Sequence, residues 1–367
     1  MNIMSGFGSW FTVVAVYTLL LKFNAPALII ALAAAFHWLP GALQAPISGT
    51  IIDRSDTKKL MFMLLFIEMS ATICMIYIDS AELIWLLLAL VFIKMSSASF
   101  FFTAEMALIP SLVSKDELRI ANDINSITWS VTFVLGMALG GLFVEYAGVK
   151  NAFLLDAFAF LVAISLLTRL NIPKFVKNHT ESFVHFVKEG YRYLKEHPFL
   201  IHLILLHATV GFTAFDALVT LLAKTYYIDT ISEPLAIGFT NAIRALGLAL
   251  GPFLFFKFKN QKELLGKLLL AQGIAIIIWS FLQPNYYTGL VGTFLTGLFT
   301  TSIWSITYSL IQSSVEKRFY GRVVAYNDMF FLMTNAFVSM LIGILANFGL
   351  KLEYITVILG VLFLLSA

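Results

Sequence analysis

Residues 171–198 read NIPKFVKNHTESFVHFVKEGYRYLKEHP and form the only long hydrophilic stretch of this 367-residue chain. On both sides of it lie apolar runs of roughly 20 residues, the length that crosses a hydrocarbon core of about 30 Å. The stretch therefore divides the chain into an N-terminal part (1–170), a linker (171–198) and a C-terminal part (199–367). Four apolar residues in the linker predict a short amphipathic helix on a membrane surface, namely Phe183, Phe186, Tyr191 and Leu194.

The composition is that of a protein embedded in lipid. Hydrophobic residues make up 60% of the chain and charged residues only 12%, against about 45–50% and about 25% in soluble domains. The surplus apolar surface is expected to face lipid, where it carries no cost. The net charge of +3, spread over many loops, argues against a nucleic-acid partner. We therefore predict an all-α integral membrane protein.

Polar interruptions in the sequence predict about twelve transmembrane helices, six in each part of the chain. The first apolar run lacks the basic region and cleavage site of a signal peptide, so it is interpreted as a span. The last run is shorter than the roughly 20 residues of a full span, and this helix is therefore expected to be truncated. The predicted spans are 3–21, 27–52, 59–78, 83–104, 124–145, 151–170, 199–223, 235–256, 265–282, 287–311, 324–346 and 354–367.

The distribution of lysine and arginine predicts the orientation of these spans. One set of alternating loops carries eighteen Lys and Arg residues, and the other set carries only Lys22, Lys150, Lys224 and Lys351. Loops rich in Lys and Arg remain in the cytoplasm. Both termini are therefore predicted to be cytoplasmic, in a protein of the inner (plasma) membrane.

A weak internal repeat relates the two parts. Span 4 is followed by Ser111-Leu-Val-Ser-Lys115 and span 10 by Ser313-Ser-Val-Glu-Lys317, each with an Arg and an Asn-Asp pair shortly afterwards. A parallel repeat of this kind predicts a central cavity between two rocking halves. Chance similarity over a short charged loop is the alternative.

The loop between spans 2 and 3 carries a motif that resembles the signature of the major facilitator superfamily. It reads Gly49-Thr-Ile-Ile-Asp53-Arg54-Ser-Asp-Thr-Lys58-Lys59. The resemblance implies a gating motif in which Gly49 allows close helix approach and Asp53, Arg54, Lys58 and Lys59 lock helix ends. Asp56 or Thr57 stands where the family usually has a second glycine, so the local turn is expected to differ.

Further motifs are similar to the branch of this superfamily that exports drugs and siderophores, including macrolide pumps and the enterobactin exporter. They are Pro110-Ser-Leu-Val-Ser-Lys-Asp-Glu-Leu-Arg-Ile-Ala-Asn122, Ala152-Phe-Leu-Leu-Asp-Ala-Phe-Ala-Phe160 and Gly190-Tyr-Arg-Tyr-Leu-Lys-Glu-His-Pro198. The resemblance implies a monomer that exchanges a small molecule for protons. The Gly-Pro pair that antiporters often carry in span 5 is missing, since that region reads Gly136-Met-Ala-Leu-Gly140-Gly141; its glycines favour close helix packing.

Charged residues inside spans usually face a cavity or a partner because they are costly in lipid. Glu68 and Lys94 fall at similar depth in spans 3 and 4, and the resemblance implies a coupling role for a basic residue at Lys94. A static buried ion pair is the alternative. Asp216 in span 7 and Arg244 in span 8 form a second candidate pair, for coupling or for a charged substrate.

Other candidates are weaker. His37 lies in the middle of span 2 and is interpreted as a titrating or a hydrogen-bonded packing residue. Asp156 is placed near the end of span 6, at the membrane interface. Trp304, Tyr308 and Gln312 follow i, i+4, i+8 spacing and predict either an aromatic cavity wall or ordinary packing.

Motifs of enzymes are missing from the sequence, which contains no phosphate-binding loop, nucleophile elbow or His-Glu-x-x-His. We therefore expect no enzyme activity, no cofactor and no metal site. The prediction is a secondary transporter, energised by protons, that exports small amphipathic or hydrophobic compounds and is surrounded by membrane lipids. The alternatives are an uptake or lysophospholipid transporter of the same fold and a non-transporting membrane sensor.

Overall fold

The structure is a computed structural model that describes residues 2–112, 118–170, 183–255, 258, 260–316 and 318–367. Within these ranges the regular structure is entirely helical, as predicted. The α-helices are α1 (Asn2–Lys22), α2 (Ala27–Arg54), α3 (Thr57–Met75), α4 (Ile84–Leu112), α5 (Leu118–Ala147), α6 (Val149–Arg169), α7 (Phe183–Glu196), α8 (Pro198–Ala208), α9 (Asp216–Thr225), α10 (Glu233–Phe255), α11 (Gln261–Leu282), α12 (Tyr286–Ser314), α13 (Tyr320–Asn347) and α14 (Leu352–Ser366).

The predicted spans match these helices in order, with one break. Nine helical segments of the described chain are long and apolar enough to cross a membrane. Helices α1 and α14 contribute shorter apolar segments, and α3 carries Lys58, Lys59 and Glu68 along its length. Span 7 is discontinuous, because α8 passes through a 3₁₀ turn (Thr209–Thr213) before α9 begins at Asp216.

The linker helix α7 packs against the protein through Leu194, one of the four apolar residues named above, and through Tyr193, which was not among them. Tyr193 and Leu194 are buried among residues of α8, α12 and α13, whereas Tyr191 is 63% exposed. The ring of Tyr193 stacks on Phe319 at 4.2 Å between centroids. The side chains of Phe183 and Phe186 lie outside the described residues. Contacts with α13 therefore fix α7, together with an ion pair of 2.8 Å between Arg322 and Glu189.

The N-terminal helices (α1–α6) contact the C-terminal helices (α8–α14) mainly along α2 with α13 and α5 with α10. Gly141 and Gly238 bring α5 and α10 into backbone contact: a Cβ on Gly141 would lie 2.7 Å from the Pro234 carbonyl oxygen. Likewise, a Cβ on Gly343 would lie 3.0 Å from the Ala27 carbonyl oxygen. These contacts lie at the end of the bundle whose loops carry few basic residues, namely Lys22, Lys150, Lys224 and Lys351. This end is called the lysine-poor end below.

Candidate transport site

A cavity of about 260 Å³ lies within the N-terminal helices. Its lining residues fall between Gly6 and Thr132, and so come from α1 to α5. The sequence predicted a cavity between the two parts of the chain, whereas this cavity belongs to one of them. Residues with polar or aromatic side chains on its wall include Trp10, His37, Trp38, Glu68, Lys94 and Trp129.

A buried ion pair joins α4 and α6 beside this cavity. Lys94 Nζ lies 2.7 Å from Asp156 Oδ2, and the two residues are 3% and 0% exposed. The ammonium group also donates to Thr72 Oγ1 at 3.3 Å and to Ser9 Oγ at 3.4 Å. It lies 4.3 Å from the centre of the Phe160 ring. The charge of Lys94 is thus compensated by one carboxylate, and the ammonium group donates hydrogen bonds to acceptors on three helices, α1, α3 and α6.

The position of Asp156 corrects two expectations. The residue was placed at the membrane interface, and Lys94 was expected to pair with Glu68. Instead, Asp156 is fully buried and also accepts a hydrogen bond of 2.5 Å from Thr12 of α1. Gly8 permits this approach of α1 to α6, because a Cβ at Gly8 would lie 2.5 Å from Asp156 Oδ1. Helix counting missed this, since it gives depth along a span but not the direction in which a side chain points.

Glu68 is buried at the same cavity without a direct counter-ion among the described residues. It is 3% exposed and lines the cavity together with Lys94. Its carboxylate forms neither an ion pair nor a hydrogen bond with the described side chains, since Lys94 is directed to Asp156. The cluster therefore contains one ammonium group and two carboxyl groups, and only one of these carboxyl groups is in direct contact with the ammonium.

Aromatic rings form the other side of the cavity. Trp10 stacks on Phe133 with centroids 4.3 Å apart, and Trp129 meets Trp10 edge-on at 6.5 Å. His37 lies between Trp10 and Trp38, at 6.5 and 4.9 Å. Gly136 makes room for this wall, since a Cβ there would lie 2.7 Å from Trp10 Cδ1. The predicted packing role of this glycine is therefore confirmed, and His37 is a cavity residue held by aromatic contacts.

The second predicted pair, Asp216 and Arg244, is not in direct contact. Arg244 donates from Nη2 to the Thr213 carbonyl oxygen at 2.5 Å and lies 5.0 Å from the centre of the Phe215 ring. That carbonyl lies at the break between α8 and α9, where the 3₁₀ turn ends, and it also accepts from the Phe215 backbone N–H at 2.8 Å. The arginine therefore stabilises the break. This role could be predicted only by knowing where the span is interrupted.

Asp216 connects the C-terminal helices electrostatically to the cavity. It is the first residue of α9, where the helix dipole favours a negative charge. Its carboxylate interacts through its charge with Tyr17 of α1 and His37 of α2 as well as with Arg244. Both Tyr17 and His37 line the cavity. A charged residue of one group of helices thus acts on the site formed by the other.

The loop motif between α2 and α3 makes contacts within the N-terminal helices. Lys58 donates to the carbonyl oxygens of Thr168 and Leu170, at 2.9 and 2.6 Å, and so caps the end of α6. Asp56, at the position where a second glycine was noted as missing, instead caps α3 by accepting from the Lys59 backbone N–H at 3.2 Å. Lys59 and Arg54 are exposed.

The two remaining members of this motif are Gly49 and Asp53. Gly49 was expected to allow close helix approach; in this conformation a Cβ there would meet no atom of the described residues within 4 Å. The gating role of this glycine stays a prediction. The side chain of Asp53 lies outside the described residues.

Trp304 and Tyr308 stack at 4.9 Å between ring centroids, as their i, i+4 spacing allows. Both rings surround His207, which is fully buried and bonded through Nδ1 to Thr307 Oγ1 at 2.8 Å. Gln312 does not join them and donates to the Tyr320 hydroxyl at 2.6 Å. The stripe therefore packs around a histidine of α8. No group of three metal-ligating side chains occurs among the described residues.

Comparisons with known proteins agree with this architecture. The sequence profile of the Major Facilitator Superfamily matches residues 1–278. The chain is 24% identical over 308 residues to macrolide efflux protein A of Streptococcus pyogenes, covering 81% of this chain and 75% of that protein. It is 23% identical over 374 residues to an uncharacterized transporter of the same superfamily from Bacillus subtilis, covering 95% and 84%.

Solved structures share the fold at low sequence identity. A bacterial homologue of the iron transporter ferroportin, in an inward-facing state, superposes with a TM-score of 0.73 at 16% identity, covering 100% of this chain and 95% of the other. A variant of the nucleoside transporter NupG gives a TM-score of 0.72 at 14% identity, covering 100% and 98%. The chain is therefore a multi-pass membrane transporter, not an enzyme, and it belongs to the major facilitator superfamily.

Proposed function

We propose that this transporter exports small amphipathic or hydrophobic compounds, of drug or siderophore type, in exchange for protons. It works as a monomer in the plasma membrane, with both termini and the loops rich in Lys and Arg in the cytoplasm. The relatives named as macrolide efflux proteins support export. The coupling ion is a proton because the cavity brings together carboxyl groups that can bind one.

The observation that carries this proposal is the cluster of Lys94, Asp156 and Glu68. Charges within a membrane are costly and are retained where they serve an ion or substrate pathway. Lys94 and Asp156 compensate each other at 2.7 Å. Glu68 then needs a proton or another cation to balance its charge, which makes it the exchange site in this proposal.

Alternating access follows from the contacts between the two groups of helices. The glycine contacts of α5 with α10 and the contact of α13 with α2 close the lysine-poor end. The cavity extends towards the opposite end, where Gly6 and Glu105 lie on its wall. We infer that the N-terminal (1–170) and C-terminal (199–367) parts rock against each other and open the lysine-poor end.

The loop motif has a mechanical role in this scheme. Lys58 ties the start of α3 to the last carbonyls of α6, so these helix ends move together. Gly49, Asp53, Arg54 and Lys59 form the adjoining part of the gate in the state that closes the Lys- and Arg-rich end. In the present conformation no atom of the described residues lies within 4 Å of a Cβ placed at Gly49, which leaves room among them for a helix to approach.

The test uses purified protein in liposomes with a trapped pH-sensitive dye, an imposed proton gradient and a panel of dyes, macrolides and siderophores. A compound should trigger proton movement in the wild type, and Glu68→Gln should slow it about tenfold or more. The matched control is Glu82→Gln, because Glu82 is exposed in the turn before α4 and should leave the rate unchanged.

Two outcomes would overturn the proposal. If folded protein showed no proton movement with any compound of the panel, proton-coupled export would be contradicted. Movement of a fluorescent lysophospholipid would then support a lipid transporter, and its absence a sensor. Equal proton movement in Glu68→Gln and the wild type would remove Glu68 from the exchange.

A further inference from the structure

We propose that the cavity of the N-terminal helices binds a small lipophilic organic monocation, with Glu68 as its counter-ion and tryptophan indoles as its walls. The inference rests on the proposed function and specifies its substrate class. It is carried by the charge balance, the aromatic lining and the volume of the cavity.

The charge balance favours a single positive charge on the ligand. Lys94 is already compensated by Asp156, and the remaining donors on its ammonium group are directed to Thr72 and Ser9. Glu68 lies at the same cavity, buried and without a direct partner among the described residues. A monocation next to Glu68 would bring the cluster to neutrality, whereas an anionic ligand would add a second uncompensated negative charge.

The aromatic lining favours an organic cation over a metal ion. Three of the six tryptophans of the chain, Trp10, Trp38 and Trp129, line the cavity. Indole faces attract cations, most strongly where water is excluded. Most of the lining side chains are apolar or aromatic, so a hydrated inorganic ion would have few oxygen ligands there.

The volume limits the size of the ligand. At about 260 Å³ the cavity lies just below the range of about 300–1,000 Å³ that holds drug-sized molecules. A cation with one aromatic ring and a compact ammonium group fits such a space. A macrolide-sized molecule would need the cavity to widen first.

Proton exchange predicts how acidity affects binding. A proton on Glu68 removes the charge that holds the cation, so the two compete and the cation binds more weakly in acid. Other titratable or charged groups face the same cavity or cluster and contribute to the profile, namely Tyr17, His37, Lys94, Glu105, Asp156 and Asp216. The Glu68→Gln variant isolates the part due to Glu68.

The experiment measures binding of benzyltrimethylammonium to the purified full-length protein in detergent by calorimetry, with tryptophan fluorescence as a second readout. Neopentylbenzene, the neutral isostere, and phenylacetate serve as comparison ligands. The cation should bind at least about tenfold more tightly than either, a difference of about 1.4 kcal/mol. Glu68→Gln should lose that preference and the acid dependence, while Glu82→Gln keeps both.

Equal binding of the cation and its neutral isostere would overturn the inference. So would a lack of measurable cation binding by protein whose cooperative thermal unfolding shows it to be folded, or full retention of the preference in Glu68→Gln. The transport assay separates this result from the proposed function. Proton movement that depends on Glu68, without cation binding, would contradict only the inference about the cation. Cation binding without any proton movement would contradict only proton-coupled transport.

Discussion

The N-terminal and C-terminal helices differ in the kind of polar side chains that they bury. Beside the cavity of α1–α5, Lys94, Asp156 and Glu68 bring three ionisable groups together at one site. In the C-terminal helices most of the described buried polar groups are neutral: many donate to a backbone carbonyl of their own helix, and some bond across helix contacts. Examples are His207 with Thr307, Gln272 with Thr300 and Gln283 with Thr356.

This contrast suggests a division of labour. Neutral hydrogen bonds hold helices together at low cost, since each contributes about 0.5–1.5 kcal/mol and leaves no charge to balance. A charge cluster is expensive and useful only where its balance can change with a proton or a ligand. The N-terminal helices therefore carry the exchange chemistry in our proposal, and the C-terminal helices contribute the wall, the contact surface and the long-range charge of Asp216.

The largest effect should come from unpairing Lys94. Asp156→Asn leaves a buried ammonium without its counter-ion and should lower the free energy of unfolding by about 3–5 kcal/mol, measured by reversible denaturation in mixed micelles. The double variant Lys94→Met with Asp156→Leu carries no charge there and should recover most of this loss. An Asp156→Asn protein as stable as the wild type would show that the pair does not form in solution.

A smaller loss of unfolding free energy is expected from changes at Arg244, whose guanidinium group binds a backbone carbonyl at the break between α8 and α9. Arg244→Met removes a charged hydrogen bond to the Thr213 carbonyl and should cost about 1.5–3 kcal/mol in the same measurement. Arg244→Lys keeps the charge but reduces the planar contact with Phe215, and should fall between. A loss as large as that of Asp156→Asn would indicate a direct pair with Asp216, contrary to the structure.

The smallest effect should follow removal of one neutral hydroxyl. Thr300→Val keeps the shape of the side chain and loses the hydroxyl that donates to the Thr296 carbonyl oxygen at 2.8 Å and to Gln272 Oε1 at 3.2 Å. We expect a loss of about 1 kcal/mol and unchanged proton movement in liposomes. Thr300→Ser, which retains the hydroxyl, is the control. A large loss of transport in Thr300→Val alone would place exchange chemistry in the C-terminal helices and break the comparison.

Much of the fold could be predicted from apolar run lengths, because the bilayer thickness sets the length of a span. The break in span 7 was missed, since residues 209–215 (TVGFTAF) are as apolar as the helices around them. The site was predicted in part: Glu68, Lys94 and His37 lie at the cavity, as buried charged and titratable residues are expected to do. Asp156 was placed wrongly because its depth near a helix end suggested an interface.

The sequence by itself determined that this chain is helical, lies in a membrane and belongs to the major facilitator superfamily, because hydropathy, loop charge and local motifs are properties of the linear chain. Only the tertiary structure decided which carboxylate pairs with Lys94, that Arg244 binds a backbone carbonyl, and that the cavity lies within α1–α5. These depend on the rotation of each helix about its axis. That rotation is set by packing between distant segments, such as Gly8 of α1 against Asp156 of α6, and leaves no local signal in either segment.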